Sequence, residues 1–202
     1  MRLSVFLFSV FCVALLTACS SSDSGSAEPA SVTARSVLTS LDPSSCAKTP
    51  DLTDPNETPY LLCPGVAGYS LIVRKVASGR KSVDVVDPSK ELHPLNFQET
   101  VTRYMSNLDG QAEWRVVTRN GQEVPIALIV RVQSHEDLDE PEAVSATYTA
   151  LAKLTLGEVC VTDRISDQQQ SPEQIRSIAD SAPDRACALP QPAIGPDGQD
   201  RP

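Results

Sequence analysis

Histidine and serine are the first residue types to consider for chemistry, and the chain has only two histidines. His93 precedes Pro94 in a predicted loop, and His135 begins an acidic run. A hydrolase of the Ser-His-Asp type also needs a positioned serine, and the motif G-x-S-x-G does not occur. We therefore expect both histidines to be surface residues, and we predict no catalytic residue.

Two groups of acidic residues are candidates for binding a calcium ion. One lies in residues 136–142 and the other in residues 51–57. Calcium needs several converging oxygens, and an EF-hand loop also needs a glycine at its sixth position. Neither group has that pattern, so both are interpreted as solvated loops, and no metal or cofactor is predicted.

The first 18 residues have the pattern of a secretory signal. Arg2 lies beside the terminal amine, and residues 3–16 form an uncharged, apolar run. A membrane-spanning helix needs about 20 apolar residues, so this run better matches the central region of a signal peptide. An ordinary cleavage site has small residues at the first and third positions before the cut. Ala18 meets this requirement and Leu16 does not.

The sequence Leu16-Thr17-Ala18-Cys19 resembles the lipobox of bacterial lipoproteins. The resemblance implies cleavage before Cys19, a diacylglycerol on its sulfur, and durable anchoring by two or three acyl chains. Because residue 20 is Ser rather than Asp, it favours the outer membrane, facing the periplasm, in a diderm host. In any other host the protein would lie on the outer face of the cell membrane. A soluble secreted chain or an uncleaved anchor is the alternative.

The rest of the chain divides by composition. Residues 19–35 are small and polar and predict a disordered tether, residues 36–189 suit a single domain, and residues 190–202 predict a disordered tail. Removing residues 1–18 takes away one arginine and no acid, which changes the net charge from -9 to -10. An acidic surface argues against nucleic acid and against a second, electrostatic membrane contact.

Four cysteines remain in the exported part, and an even number there implies disulfides. They are Cys46, Cys63, Cys160 and Cys187. Three pairings are open, and we favour the local one, Cys46–Cys63 with Cys160–Cys187, in which each bridge closes a modest loop. Each would stabilise the fold by roughly 3 kcal/mol. A zinc site is the alternative, but no C-x-x-C spacing occurs and histidine is scarce.

Two β-hairpins and two helices are predicted from local patterns. The first hairpin joins residues 69–76 to 82–86, and the second turns at Asn120-Gly121, a pair that favours a type I′ turn. A short helix is predicted over 97–105, with Asn96 as its cap. A second begins at Ser171-Pro172 with Gln174 completing a capping box, and it ends before Pro183.

Further strands are predicted at residues 60–63, 113–118, 123–132 and 159–165. Residues 143–156 suit a helix or a strand, and their threonines and period of two favour the strand. The fold class is therefore α+β: an antiparallel sheet of about six or seven strands, with the C-terminal helix packed on one face and two disulfides. The single Trp, Trp114, is interpreted as a core residue, although with Arg74, Arg103 and Arg115 it also suggests a recognition patch.

The mature part resembles a group of small exported proteobacterial proteins without an assigned activity. The resemblance runs over residues 41–189 and rests on a Cys loop, the C-P-G-x-x-G-Y turn at 63–69, the E-W-R strand at 113–115 and a late Cys pair around a helix. It implies export and fold but transfers no catalytic residue.

A non-catalytic binding or interaction module of the cell envelope is therefore the leading hypothesis. The expected partners are the membrane, through the lipid on Cys19, and an envelope protein or polymer. Two alternatives stay open. One is an inhibitor of lysozyme-type hydrolases, to which an acidic domain would be steered electrostatically. The other is a cryptic hydrolase.

Overall fold

A computed structural model describes residues 33–48, 59–76, 79–137 and 139–191. Within these residues the chain forms ten strands and two short helices, with α1 (Phe97–Thr100) after the sixth strand and α2 (Pro172–Asp180) after the tenth. The strands are β1 (Arg35–Ser40), β2 (Ala47–Lys48), β3 (Tyr60–Pro64), β4 (Ser70–Lys75), β5 (Lys81–Val86), β6 (Leu92–Pro94), β7 (Met105–Arg119), β8 (Gln122–His135), β9 (Ala146–Leu154) and β10 (Val159–Ser166).

The strands form two antiparallel sheets of five strands each, which corrects the prediction of a single sheet of six or seven. Sheet I has the order β1-β7-β8-β9-β10, and sheet II has the order β2-β3-β4-β5-β6. The fold is thus predominantly β. Strands β1, β2 and β6 were not predicted, because they have only six, two and three residues and lack a long alternating pattern.

One apolar core joins the two sheets. Leu71, Val83 and Val85 of sheet II belong to the same buried cluster as Trp114 and Leu128 of sheet I. Trp114 is fully buried, and its indole N–H donates to the Thr39 hydroxyl at 2.9 Å. The interpretation of Trp114 as a core residue is confirmed, because burial and a paired N–H together satisfy both parts of the side chain.

The long hairpin of β7 and β8 forms the centre of sheet I. Asn120 and Gly121 both have positive φ angles, 52° and 76°, as the predicted type I′ turn requires. Leu128 and Val130 face the core between the sheets, whereas Ala127 and Ile129 face α2, so β8 is buried on both sides. Pro125 lies where the pairing register of β7 and β8 shifts, a position that tolerates its missing N–H.

Two expectations for helices have different outcomes. Helix α2 has the predicted capping box, in which the Ser171 hydroxyl accepts from the Gln174 backbone N–H and the Gln174 side chain accepts from the Ser171 N–H. Helix α1 ends at Thr100, well before the predicted end, because the chain soon enters β7. Asn96 makes no capping hydrogen bond there. Residues 146–154 form β9, so the prediction of a strand rather than a helix within residues 143–156 is confirmed.

Both favoured disulfides are present, Cys46–Cys63 and Cys160–Cys187. The second one fastens the chain that follows α2 to β10. After Cys187 the backbone N–H of Ala188 donates to the Val161 carbonyl, and that of Gln191 donates to the Glu99 carbonyl. Residues 188–191 therefore connect the outer strand of sheet I to α1.

Candidate functional site

The helix-side face of sheet I carries an open polar site. Helix α2 and the 3-10 turn Ala182–Asp184 cover its apolar part, formed by Ala127, Ile129, Leu151 and Ile165. Beyond the start of α2 the same strands present Arg131 and Thr149 instead. Two adjoining clefts of about 270 and 550 Å³ open there, and both are lined by Arg131 and Asp167. We name them together the Arg131 groove.

Arg131 is held between two carboxylates. Its Nε donates to Asp167 Oδ2 at 2.9 Å, and its Nη1 donates to Asp109 Oδ2 at 3.0 Å. The hydrogen bonds to Asp167 raise the pKa of Arg131 above its ordinary value. The Thr149 hydroxyl donates to the other oxygen of Asp167 at 2.8 Å. Half of the Arg131 side chain (53%) stays exposed, so an oriented guanidinium faces the groove.

Both hydrogen-bond donors and hydrogen-bond acceptors line the groove. The smaller cleft lies between Ile129, Thr149, Gln170, Pro172 and Ile175, with Glu113 at one side. The larger one is lined by residues at or just before the start of β9 and at or just after the end of β10, namely Val144, Ser145, Ala146, Thr147, Ser166 and Gln168. The groove can therefore accept and donate hydrogen bonds beside the apolar side chains of Ile129 and Ile175.

A partly buried ionic network lies beside the groove on the α2 side. Arg176 of α2 donates to Glu113 at 2.6 Å, and the Ser36 hydroxyl also bonds to that carboxylate. Burial alone would raise the pKa of Glu113, but these hydrogen bonds and the positive charges of Arg176 and Arg115 lower it below its usual value. Arg115 pairs with Asp180 of α2 through two hydrogen bonds. The network joins β1, β7 and α2.

His93 makes a contact that resembles part of a catalytic triad. Its Nε2 lies 3.3 Å from Asp87 Oδ2, and the Ser89 hydroxyl donates to Asp87 Oδ1 at 2.7 Å. In a working triad the imidazole bonds to the hydroxyl that it activates. Here Ser89 donates to the carboxylate, so this cluster lacks an activated nucleophile.

His135 departs from the expectation of a surface position, because it is only 8% exposed. It ends β8, where it pairs with Met105 of β7, and the extended hairpin encloses it. Its Nε2 lies 3.2 Å from the Asn107 side-chain amide, while its buried Nδ1 has no hydrogen-bond partner. The strand predicted over residues 123–132 extends to His135 in the structure, which is why this histidine is buried rather than exposed.

The remaining candidates are the two acidic groups and the residues of the suggested recognition patch. In the acidic run, Asp137 accepts backbone N–H groups of its own turn, and Glu136 accepts from the Tyr148 hydroxyl at 2.8 Å. Arg74 pairs with the buried Asp84, and Arg103 donates to the Gln191 carbonyl. With Trp114 and Arg115 buried, these residues form no common patch. The acidic group at residues 51–57 lies outside the described residues.

The predicted lipid acceptor Cys19 also lies outside the described residues, as do the signal segment, most of the tether and residues 192–202 of the tail. Within the described part, no helix combines the length and the apolar character needed to cross a membrane.

No family model, curated protein or solved structure matches this chain. The resemblances to the lipobox and to exported proteobacterial proteins therefore stay predictions. What the site does must be argued from its own geometry.

Sequence reasoning did not identify the Arg131 groove, although one signal was present. Along β8 the positions facing α2 read Ala127, Ile129 and then Arg131, so the apolar pattern stops at a charge in the middle of a buried strand. A charge at such a position needs a partner. The partner, Asp167, lies 36 residues away in sequence, which local patterns do not reveal.

Proposed function

We propose that this protein is a lipid-anchored component of the cell envelope whose domain binds a partner and catalyses no reaction. The Arg131 groove is the proposed binding site. The observation that carries the proposal is the exposed guanidinium of Arg131, oriented on the face of sheet I by hydrogen bonds to Asp109 and Asp167. Such a pre-ordered polar group lowers the entropic cost of binding.

The ligand that suits this groove is a neutral chain that carries hydroxyl and amide groups. Arg131 is already paired with two carboxylates, so a strongly anionic ligand would have to displace them. The side-chain amides of Gln168 and Gln170 and the hydroxyl of Thr147 offer both donors and acceptors. A segment of an envelope polymer, such as a glycan strand with short peptides, has these groups.

Non-catalytic binding is also supported by the surroundings of the histidines. His93 faces a carboxylate, and His135 is enclosed in the β7–β8 hairpin beside an amide. Among the described residues neither imidazole bonds to a serine, threonine or cysteine that it would activate.

The groove is tested with purified soluble peptidoglycan fragments and NMR chemical-shift titration of the chain. We expect shifts at Arg131, Thr149 and residues 166–170, and a loss of binding of at least tenfold in Arg131→Ala. The matched control is Arg119→Ala, an exposed arginine at the end of β7. Both variants should unfold within about 1 kcal/mol of the wild type, because exposed ion pairs contribute little.

Equal binding by Arg131→Ala and the wild type would remove the groove from the proposal. Inhibition of lysozyme by the wild type at micromolar concentration would favour the inhibitor alternative instead. Turnover of ester, peptide or glycan substrates would favour the hydrolase.

Anchoring is a separate part of the proposal and is tested by Cys19→Ala in membrane fractionation. The variant should leave the membrane fraction or keep its signal segment, and it should fail to incorporate labelled fatty acid. Cys12→Ala is the matched control, because Cys12 lies in the predicted signal segment and should not affect lipidation. Labelling of Cys19→Ala equal to that of the control would refute the anchor.

A further inference from the structure

The hairpin between β5 and β6 brings three metal-binding side chains together on its turn. Asp87 follows β5, Glu91 precedes β6, and His93 lies within β6. One ligand atom from each residue lies within 4.8 Å of the other two. The three residues come from one short segment with the spacing D-x3-E-x-H, which the sequence analysis did not recognise as a ligand pattern.

Backbone hydrogen bonds hold the turn in shape without a metal. The Asp87 N–H donates to the Glu91 carbonyl at 3.0 Å, and the Lys90 N–H donates to the Asp87 carbonyl at 3.0 Å. Asp87 Oδ1 accepts from the Ser89 hydroxyl and from the Glu91 N–H.

A neighbouring loop supports the turn. A Cβ built on Gly68 would lie 3.4 Å from the Pro88 ring, so the loop of the C-P-G-x-x-G-Y motif packs directly on the turn. Gly68 itself has a φ of 85°, which a glycine adopts without strain. The three ligands are therefore presented by a hairpin that is braced from outside.

The distance between the two inner ligand atoms fits a zinc-type ion. Bonds of about 2.0–2.1 Å in a tetrahedral site place neighbouring ligand atoms roughly 3.3 Å apart. His93 Nε2 and Asp87 Oδ2 are 3.3 Å apart. Because Oδ1 is used by the turn, Oδ2 stays available to a metal on the side of the imidazole. Glu91 is exposed, so its carboxylate can turn to complete the set.

We propose that Asp87, Glu91 and His93 bind one divalent transition-metal ion of the zinc type. Two carboxylates balance the charge of the ion, and a neutral imidazole adds the nitrogen that such metals prefer over calcium or magnesium. Three protein ligands leave one position for water or for a partner's side chain. This site is independent of the Arg131 groove, and it revises the sequence-based expectation that no metal is bound.

A second cluster, Glu158 with Cys160 and Cys187, does not compete for the same assignment. Its two sulfurs are joined in a disulfide, so they are not thiolates and do not bind a metal strongly.

The test is calorimetric titration of the purified full-length chain with zinc chloride. We expect one zinc ion per chain with a dissociation constant in the micromolar range or tighter. His93→Gln and Glu91→Gln should each weaken binding at least tenfold. Glu140→Gln, which changes another exposed glutamate in the acidic run, is the matched control and should bind like the wild type.

Absence of wild-type binding in the micromolar range, or wild-type affinity in both His93→Gln and Glu91→Gln, would overturn the proposal. So would an equal loss in Glu140→Gln, since zinc would then be held by general acidity. Glu91→Gln decides the result if His93→Gln does not fold, because Glu91 is exposed and lies outside the core.

Discussion

The helix-side face of sheet I has two halves that the same strands build differently. On one half, β8, β9 and β10 present Ile129, Leu151 and Ile165, and α2 covers them. On the other half the next positions along the same strands are Arg131 and Thr149, with Asp167 directly after β10, and this half stays open as the Arg131 groove. The two halves share strands β8, β9 and β10, but the pairing of β7 with β8 shifts between Leu108 and Ala112, opposite Arg131. The open half therefore differs from the covered half in its backbone pairing as well as in its side chains.

The length of α2 limits how much of the sheet face it covers. Helix α2 has nine residues, which is about 14 Å of helix. Its apolar stripe of Ile175, Ile178 and Ala179 meets the apolar half, and its capped N-terminus reaches the first charged position. A longer helix would bury Arg131, and the guanidinium would then need further hydrogen-bond partners besides Asp109 and Asp167, because an incompletely paired buried charge is costly.

The largest expected effect comes from the covered half. Leu151 is fully buried between sheet I and α2, so Leu151→Ala should lower the free energy of unfolding by about 2–5 kcal/mol. Leu156→Ala is the control, since Leu156 is fully exposed in the following turn and should change stability by less than about 0.5 kcal/mol. Urea unfolding measures both. Equal midpoints would mean that α2 does not pack on this half.

An intermediate effect is expected at the boundary, where α2 begins. Ser171→Ala removes the hydroxyl that caps the Gln174 N–H and should cost about 1 kcal/mol. Ser177→Ala, in the exposed middle of the same helix, should be neutral or stabilise by a few tenths of a kcal/mol. A cost at Ser177 as large as that at Ser171 would contradict the role of the cap.

The smallest expected effect is the pH dependence of Glu113, which lines the groove and pairs with Arg176 of α2. Its folded-state pKa is below the usual 4.5. Its contribution is therefore complete above that usual pKa, and it is lost as the pH falls through the lower folded-state pKa. At neutral pH Glu113→Gln should cost about 0.5 kcal/mol in unfolding free energy.

The measurement for Glu113 is a pair of urea midpoints at about pH 7 and about pH 3 for the wild type and the variant. The difference between the two proteins should shrink at the acidic pH. A difference of the same size at both values would show that the glutamate acts through packing rather than through its charge.

Local sequence patterns predicted those features of the fold that depend only on neighbouring residues. The type I′ turn at Asn120-Gly121 and the capping box of Ser171 and Gln174 each depend on neighbouring residues. The local disulfide pairing followed the same logic. The alternation that favoured a strand over residues 143–156 reflects one side of β9, where Ala150, Ala152 and Leu154 face the core between the sheets.

Other features were not predictable because they depend on distant segments. The three-residue strand β6 is recognisable only by its pairing with β5, and β1 by its pairing with β7. His135 is buried because β8 extends beyond the predicted end and pairs with Met105. The candidate sites are of both kinds: Asp87, Glu91 and His93 are near in sequence, whereas Arg131 and Asp167 are not.

By itself the sequence determined the local backbone of the central hairpin and of the start of α2. It favoured the local disulfide pairing, which the structure confirms, and it predicts a lipid anchor at Cys19. The tertiary structure alone decided that ten strands divide into two sheets and that α2 covers half of one sheet face. It also placed Arg131 between Asp109 and Asp167. The physical reason is that turns and caps are satisfied within a few residues, whereas an interrupted apolar face is completed only by segments that pack from elsewhere in the chain.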